Sequence, residues 1–197
     1  MAGINSAQVY LPTPDQTATV GAVATAALGT TAPTDARTAL PSASWTTGGY
    51  IGEDGLSMSI SRSMTSIKDW SLSVVRKALT DYDGTLSFPF MQADEFAMSE
   101  TFGDANVTTT AANTTHGEII KVGIGSELPE AKSWCFNMKD GDRRVRVYVP
   151  NGQITEVGDV SFVPGSAHVY PVTLSTYDDG TGHSIYVFYD DGQVTGA

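Results

Sequence analysis

From Tyr50 onward, hydrophobic and polar residues alternate with period 2, the pattern of strands that bury one face. Met58 and Ile60 alternate with Ser57, Ser59 and Ser61, and Leu86, Phe88 and Phe90 alternate with Ser87 and Pro89. Ile120, Val122 and Ile124 alternate with Lys121 and Gly123. Trp134, Phe136 and Met138 alternate with Cys135 and Asn137, and Val145, Val147 and Val149 with Arg144, Arg146 and Tyr148. Shorter strand-like runs follow at 160–163, 172–174 and 185–189. Hairpin turns are expected where Asp or Asn precedes Gly: Asp83-Gly84, Asp140-Gly141, Asn151-Gly152, Asp179-Gly180 and Asp191-Gly192. Pro89 cannot donate to a ladder, so it points to an edge or a bulge.

One helix interrupts the strands, over residues 92–102. Asp94 and Glu95 complement the dipole at its start, and Gly103 closes it. The expected fold is mainly β: an antiparallel sandwich or barrel with one short flanking α-helix. The first quarter of the chain behaves differently. Residues 12–48 are rich in Ala, Thr and Pro and hold neither period, so 1–48 reads as an extended N-terminal arm and 49–197 as the β domain. Leu28, Leu40 and Trp45 give the arm apolar anchors. It is either a loose tail or an arm that orders on a neighbouring subunit.

Composition narrows the function. With 41% hydrophobic residues, the 197-residue chain has the means to pack a core. Charged residues make up 17%, below the roughly 25% usual for soluble domains, which suits a shell or fibre component better than a helical enzyme. The net charge of -11 argues against a protein that grips nucleic acid along its phosphates, while leaving open one that lets it pass without sticking. No apolar run approaches the ~20 residues of a membrane helix, and the N-terminus shows no secretory pattern. The single cysteine, Cys135, has no partner for a disulfide.

The sequence carries no recognisable catalytic pattern. His116, His168 and His183 are scattered, with no chelating spacing. Gly123-Ile124-Gly125 begins like a dinucleotide fingerprint, but Leu128 stands where the third glycine belongs. Asp81-Tyr82-Asp83-Gly84 lacks the later ligands of a calcium loop. The expectation is no catalytic, cofactor or metal site. Cys135 falls on the strand face opposite Trp134 and Phe136, which means a second buried layer or a subunit contact.

Two clusters survive. The run Lys139-Asp140-Gly141-Asp142-Arg143-Arg144-Val145-Arg146 gathers arginines after an acidic turn. Arg143, Arg144 and Arg146 are candidate ion-pair partners at a subunit boundary, with a solvated face as the plain alternative. Residues 61–70 form a polar link between two strand runs and carry apolar side chains that a free loop would not favour. Arg62, Ile67, Lys68 and Trp70 are candidate docking residues for another subunit, the alternative being that they fold back on their own core.

Several separated motifs resemble one family in the right order. Tyr50-Ile51-Gly52-Glu53-Asp54-Gly55-Leu56, followed by Ser61-Arg62-Ser63 and Lys68-Asp69-Trp70, looks like the opening of phage major tail proteins. These belong to long non-contractile tails, especially those of phages infecting actinobacteria. Residues 133–142 (SWCFNMKDGD) are similar to that family's middle strands. Residues 150–160 (PNGQITEVGDV) are its most specific stretch, a strand hairpin leading into a long strand. The resemblance covers about residues 35–191. It implies a tail-tube protein of the virion, assembled in the host bacterial cytoplasm, that forms hexameric rings stacked around the tape-measure protein. Its other partners would be tail-tip and tail-terminator proteins, with DNA passing transiently through the lumen and no membrane involved. The segment 62–70 occupies the position of a loop that links one ring to the next. A tail terminator or head-tail joining ring protein is the nearest alternative. A β-sandwich module binding carbohydrate or protein through Tyr148, Tyr170 and Tyr186 is a more distant one.

Overall fold

The computed structural model describes residues 8–193. Residues 1–7 of the expected arm and 194–197 of the expected β domain lie outside that range. The chain runs through β1 (Thr13–Pro14), β2 (Val23–Ala26), β3 (Thr46–Thr47), β4 (Ser57–Lys68), β5 (Val74–Phe90), α1 (Glu95–Phe102), β6 (Val107–Thr110), β7 (Ile119–Val122), β8 (Lys132–Asp140), β9 (Arg143–Val157), β10 (Tyr170–Thr176) and β11 (Tyr186–Asp190). The protein is mainly β, and every strand pairing among the described residues is antiparallel.

The main sheet has the order β3-β2-β8-β9-β10-β5-β4, with β1 added on β8 and β11 on β9. Strand β9 is its axis. β8 pairs with it from Arg143 to Gly152 on one edge, so β11 and β10 follow each other along the opposite edge. The sheet curls but does not close into a barrel, since β3 and β4 remain at its two ends. An isolated bridge between Ile51 and Phe90 links the segment after β3 to β5, with the Gly52 amide donating to the Pro89 carbonyl and the Met91 amide to the Tyr50 carbonyl, each at 2.9 Å. β6 and β7 form a separate hairpin whose Val107, Ile120 and Val122 pack against the main core.

The concave face holds the principal core: Val23, Leu86, Phe88, Phe90, Trp134, Phe136, Val147, Val149, Ile154, Val172 and Leu174, capped by Ala97 and Met98 of α1. Phe88 sits edge-on to Phe90 and Phe136 with ring centroids 5.1 and 5.0 Å apart, a favourable aromatic geometry. The helix starts one turn later than the sequence pattern suggests. Asp94 is its N-cap, with Oδ1 accepting from the Ala97 amide at 2.8 Å, and Gly103 ends it at φ 92°. Glu100 anchors it to the sheet: its buried carboxylate accepts from Lys132 Nζ and Thr25 Oγ1, each at 2.9 Å.

The convex face carries a second buried layer, Val20, Ala24, Ala26, Leu40, Trp45, Cys135 and Tyr148. Of the two readings open for Cys135, the structure selects this layer. Much of the layer comes from the segment read as an arm. β2 inserts its four residues beside β8, all buried, while Leu40 and Trp45 cover the sheet of their own chain. Leu28, the third anchor, is exposed.

Three local expectations are corrected. Asp83-Gly84 and Asn151-Gly152 are not turns, because β5 and β9 run straight through them. Both glycines are there for close packing. A Cβ on Gly84 would stand 2.7 Å from Thr176 Oγ1, and one on Gly152 would stand 3.0 Å from Val149 Cγ1 and 3.1 Å from Trp134 Cδ1. Gly141, Gly180 and Gly192 take positive φ; Gly141 makes the β8–β9 turn and Gly180 lies at a bend between β10 and β11. Residues 160–163 form no strand, and Phe162 and Val163 stand exposed.

Candidate functional site

The polar link expected at 61–70 is instead part of a long two-stranded ribbon. β4 pairs with β5 along its whole length, from Ser57↔Ser87 to Lys68↔Val74, whereas β10 accompanies β5 only from Gly84 to Phe90. Beyond Gly84 the hairpin therefore leaves the body with no third strand beside it. Eight residues of β4 past Ile60 give roughly 26 Å of free ribbon at the usual rise of a strand.

Alternation divides this ribbon into two unlike faces. Leu86 lies in the core, so the residues sharing its side are Met58, Ile60, Arg62, Tyr82, Met64 and Leu79. The core-facing surface thus continues outward as an apolar strip whose Met58, Ile60, Met64 and Leu79 are left exposed among the described residues. The opposite side carries Ser59, Ser61, Ser63, Thr65, Asp81 and Asp83. Irregularities of register fall between Ser63 and Met64 and between Ile67 and Lys68, which adds local twist.

The tip is a built turn. Asp69 Oδ1 accepts from the Ser73 amide at 2.8 Å and from Ser71 Oγ at 2.7 Å, and those bonds hold its carboxyl below the ordinary range. The Asp69 amide donates to the Ser73 carbonyl at 2.9 Å. Leu72 takes φ 66°, the one positive φ at a non-glycine residue among those described, a conformation that costs energy unless its surroundings impose it. The turn presents Trp70 fully exposed and Leu72 nearly so. Ile67 stands opposite Arg76 on the ribbon, and the Arg62 guanidinium lies 5.8 Å from the Tyr82 ring centroid. Arg62, Ile67, Lys68 and Trp70 are therefore brought together on one projecting element.

The arginine cluster is not on that element, and much of it is engaged within its own chain. Arg146 is 3% exposed; its Nε donates to Asn137 Oδ1 at 2.8 Å and its Nη1 to the carbonyls of Asp35 and Thr38 at 2.7 and 3.0 Å. Its expected role as a boundary ion-pair partner is corrected: residues 35–40 fold over that strand face and bury it. Arg144 Nε lies 3.5 Å from Asp15 Oδ2, and Lys139 Nζ lies 3.1 Å from Oδ1 of the same carboxylate. Burial opposes ionisation of Asp15, but bonds from Thr17 and Lys139 outweigh it and hold the carboxyl below its usual range. Arg143 reaches the Val9 carbonyl at 3.2 Å and covers the Tyr10 ring at 5.4 Å.

The segment over the convex face is clamped at a second point. Arg37 forks onto Asp190 with two bonds of 3.0 Å, and Asp35 caps the following turn through the Thr38 hydroxyl and amide and the Arg37 amide. These contacts hold Asp35 at about 2.

Between this segment and β11 opens a cleft of about 590 Å³, lined by Leu28, Pro33, Tyr148, Asp178, Asp179 and Tyr186 among others. Tyr186 stacks with Tyr148 at 6.1 Å and with Phe188 at 6.5 Å, and its hydroxyl donates to Asp179 at 2.6 Å. That bond, with those from Thr181, keeps Asp179 firmly ionised. Sequence analysis names two of its lining residues, Tyr148 and Tyr186, but not the cleft itself, because its walls come from segments about 150 residues apart. The three-tyrosine platform is not assembled: Tyr148 is buried here, and Tyr170 packs on Phe102 and His168 elsewhere.

Among the described residues no three metal-ligating side chains converge, and no helix is long and apolar enough to cross a membrane. The antiparallel body thus extends its own core surface into a projecting ribbon. Residues 14–196 match the family described as Phage tail tube protein, and the chain belongs to that family. It is a structural component of the phage virion and not an enzyme. No curated protein matches the chain.

Proposed function

We propose that this protein forms hexameric rings that stack into the tube of a long, non-contractile phage tail, around a tape-measure protein, and that DNA leaves through the lumen. The observation that carries this reading is the β4–β5 ribbon. Its apolar strip of Met58, Ile60, Met64 and Leu79 continues the core surface past the end of the core. Such a strip is a liability in a monomer and an interface in a polymer. The free edges of β3 and β4 support the same reading, since head-to-tail pairing of unlike edges lets identical subunits close a ring. Arg62, Ile67, Lys68 and Trp70 then lie at contacts between rings. A net charge of -11 suits a lumen that must not hold the DNA it conducts.

Negative-stain electron microscopy of the purified protein across a concentration series tests the proposal. Hollow tubes of uniform width are expected. Isolated rings at every concentration would instead indicate a terminator or joining protein, and absence of the protein from tail tubes of intact virions would overturn the reading.

A further inference from the structure

Charge along the chain is segregated. Four of the eleven Lys and Arg residues, Arg62, Lys68, Arg76 and Lys77, fall within residues 62–77, where Asp69 is the single acid. The remainder of the chain carries seven basic residues against 21 acidic ones. The tip of the ribbon is thus a cationic knob on an anionic body. Its two foremost side chains, Trp70 and Leu72, are large, apolar and exposed.

The aromatic cleft has the opposite character. Tyr148, Tyr186 and Phe188 supply ring faces, Pro33 and Pro150 supply flat apolar surface, and Asp178 and Asp179 supply negative charge at its rim. At about 590 Å³ it has room for an indole with an aliphatic neighbour. Position decides whose indole enters. Thr176 and Ser184 bracket the loop that carries Asp178 and Asp179, and both touch the base of the ribbon. Tyr82 Oη meets Ser184 Oγ at 2.9 Å, and Thr176 Oγ1 donates to the Gly84 carbonyl at 2.8 Å. A copy's own tip stands roughly 26 Å of paired strand away from that point and cannot fold back without breaking the ladder.

We infer that the ribbon tip of one copy seats in the aromatic cleft of a second copy, Trp70 and Leu72 entering between the 28–33 segment and β11 while Lys68, Arg76 and Lys77 face Asp178 and Asp179. This rests on the self-assembly proposed above and names the receiving surface. The contact is heterologous: each copy offers a tip at one end and a cleft near the base of its ribbon, so the same contact repeats from copy to copy. The turn around Asp69 is already ordered in the free chain, which keeps the entropy cost of docking low.

The test places p-benzoylphenylalanine at position 70 and irradiates a one-to-one mixture of light and heavy-isotope protein under tube-forming conditions. Mixed-isotope cross-links to residues 28–33 or 178–188 are expected. Tubes whose cross-links map elsewhere would overturn the docking site and leave the tube reading intact. Unmodified protein that never self-associates, in solution or in virions, removes both. If the substituted chain itself fails to form tubes, charge exchange decides. Lys77→Glu should reduce tube yield at least tenfold, and adding Asp178→Lys should restore it, whereas a double variant no better than the single one counts against the site.

Discussion

Met58 stands directly opposite Leu86 across the β4–β5 ladder, on the same face, yet Leu86 is 0% exposed and Met58 46%. The boundary of the core runs between these two paired residues. On one side of it the concave face is filled by β8, β9, β10 and α1; on the other, the same alternation continues with no covering layer. A sheet that keeps its hydrophobic pattern past the end of its own core has been built to receive something.

Removal of the foremost side chain separates assembly from folding. Trp70 is fully exposed, so Trp70→Ala should change monomer stability by no more than about 0.5 kcal/mol. Tube length in electron micrographs should fall sharply, while the thermal unfolding midpoint of the unassembled protein stays within about 2 °C of the parent.

Arg146 should behave in the opposite way. Its guanidinium joins Asn137 to the carbonyls of Asp35 and Thr38, so Arg146→Ala should cost about 2–3 kcal/mol in urea unfolding of the monomer. Unchanged stability would mean that these internal bonds are replaced without loss.

The Glu100–Lys132 pair gives a pH signature. Burial raises the Glu100 carboxyl, and Lys132 and Thr25 draw it back; Lys132→Met removes the main compensation. The variant should lose about 3 kcal/mol near neutral pH. A carboxyl raised in the folded state disfavours folding as pH climbs above the unfolded value of 4.5, so the gap between variant and parent should narrow as pH falls toward that value. Paired urea titrations at pH 7 and pH 4.5 measure it.

Acid should loosen the convex-face segment. Asp35 is held at about 2 against an ordinary 3.8, so its contribution to stability is present above 3.8 and fades as pH drops from there through 2. Cys135 reports the change. Burial pushes its thiol up to about 12 and hides it beneath Leu40 and Trp45. Its rate of reaction with a dipyridyl disulfide should rise as pH is lowered through that window, and in Asp35→Asn it should already be fast at pH 5.

Much of the fold can be read from period-2 alternation, because one face of β5, β8 and β9 supplies the large side chains of the principal core. Phe136 and Met138, Val147 and Val149, and Leu86, Phe88 and Phe90 all sit in β8, β9 and β5 as the alternation requires. β2 could not be found this way. Val23, Ala24, Thr25 and Ala26 are all buried and all small, so the two faces of this short strand carry no hydrophobic contrast. Gly84 and Gly152 look like turn residues because the same letter serves a tight turn and a tight approach of neighbouring side chains. The far half of the ribbon looks like a link in sequence because Ser63, Thr65 and Ser66 outnumber the apolar residues between them, and its pairing with 74–83 has no separate signal in either strand. Of the candidate residues, Ile67 and Trp70 stood out as apolar side chains in a polar run. Arg146 looked the same as Arg144 in sequence, and only the fold of residues 35–40 over the sheet sets them apart.

Strand β9 has a mechanical consequence. It is laddered to β8 along one edge and to β10 and β11 along the other, all antiparallel to it. A pull directed along β9 therefore loads both ladders in shear, where many bonds share the force. The ribbon beyond Gly84 has one ladder of its own and, among the described residues, no third strand beside it. Under bending the body stays stiff and the ribbon gives first, so compliance is concentrated in the part of the molecule that reaches furthest from its centre.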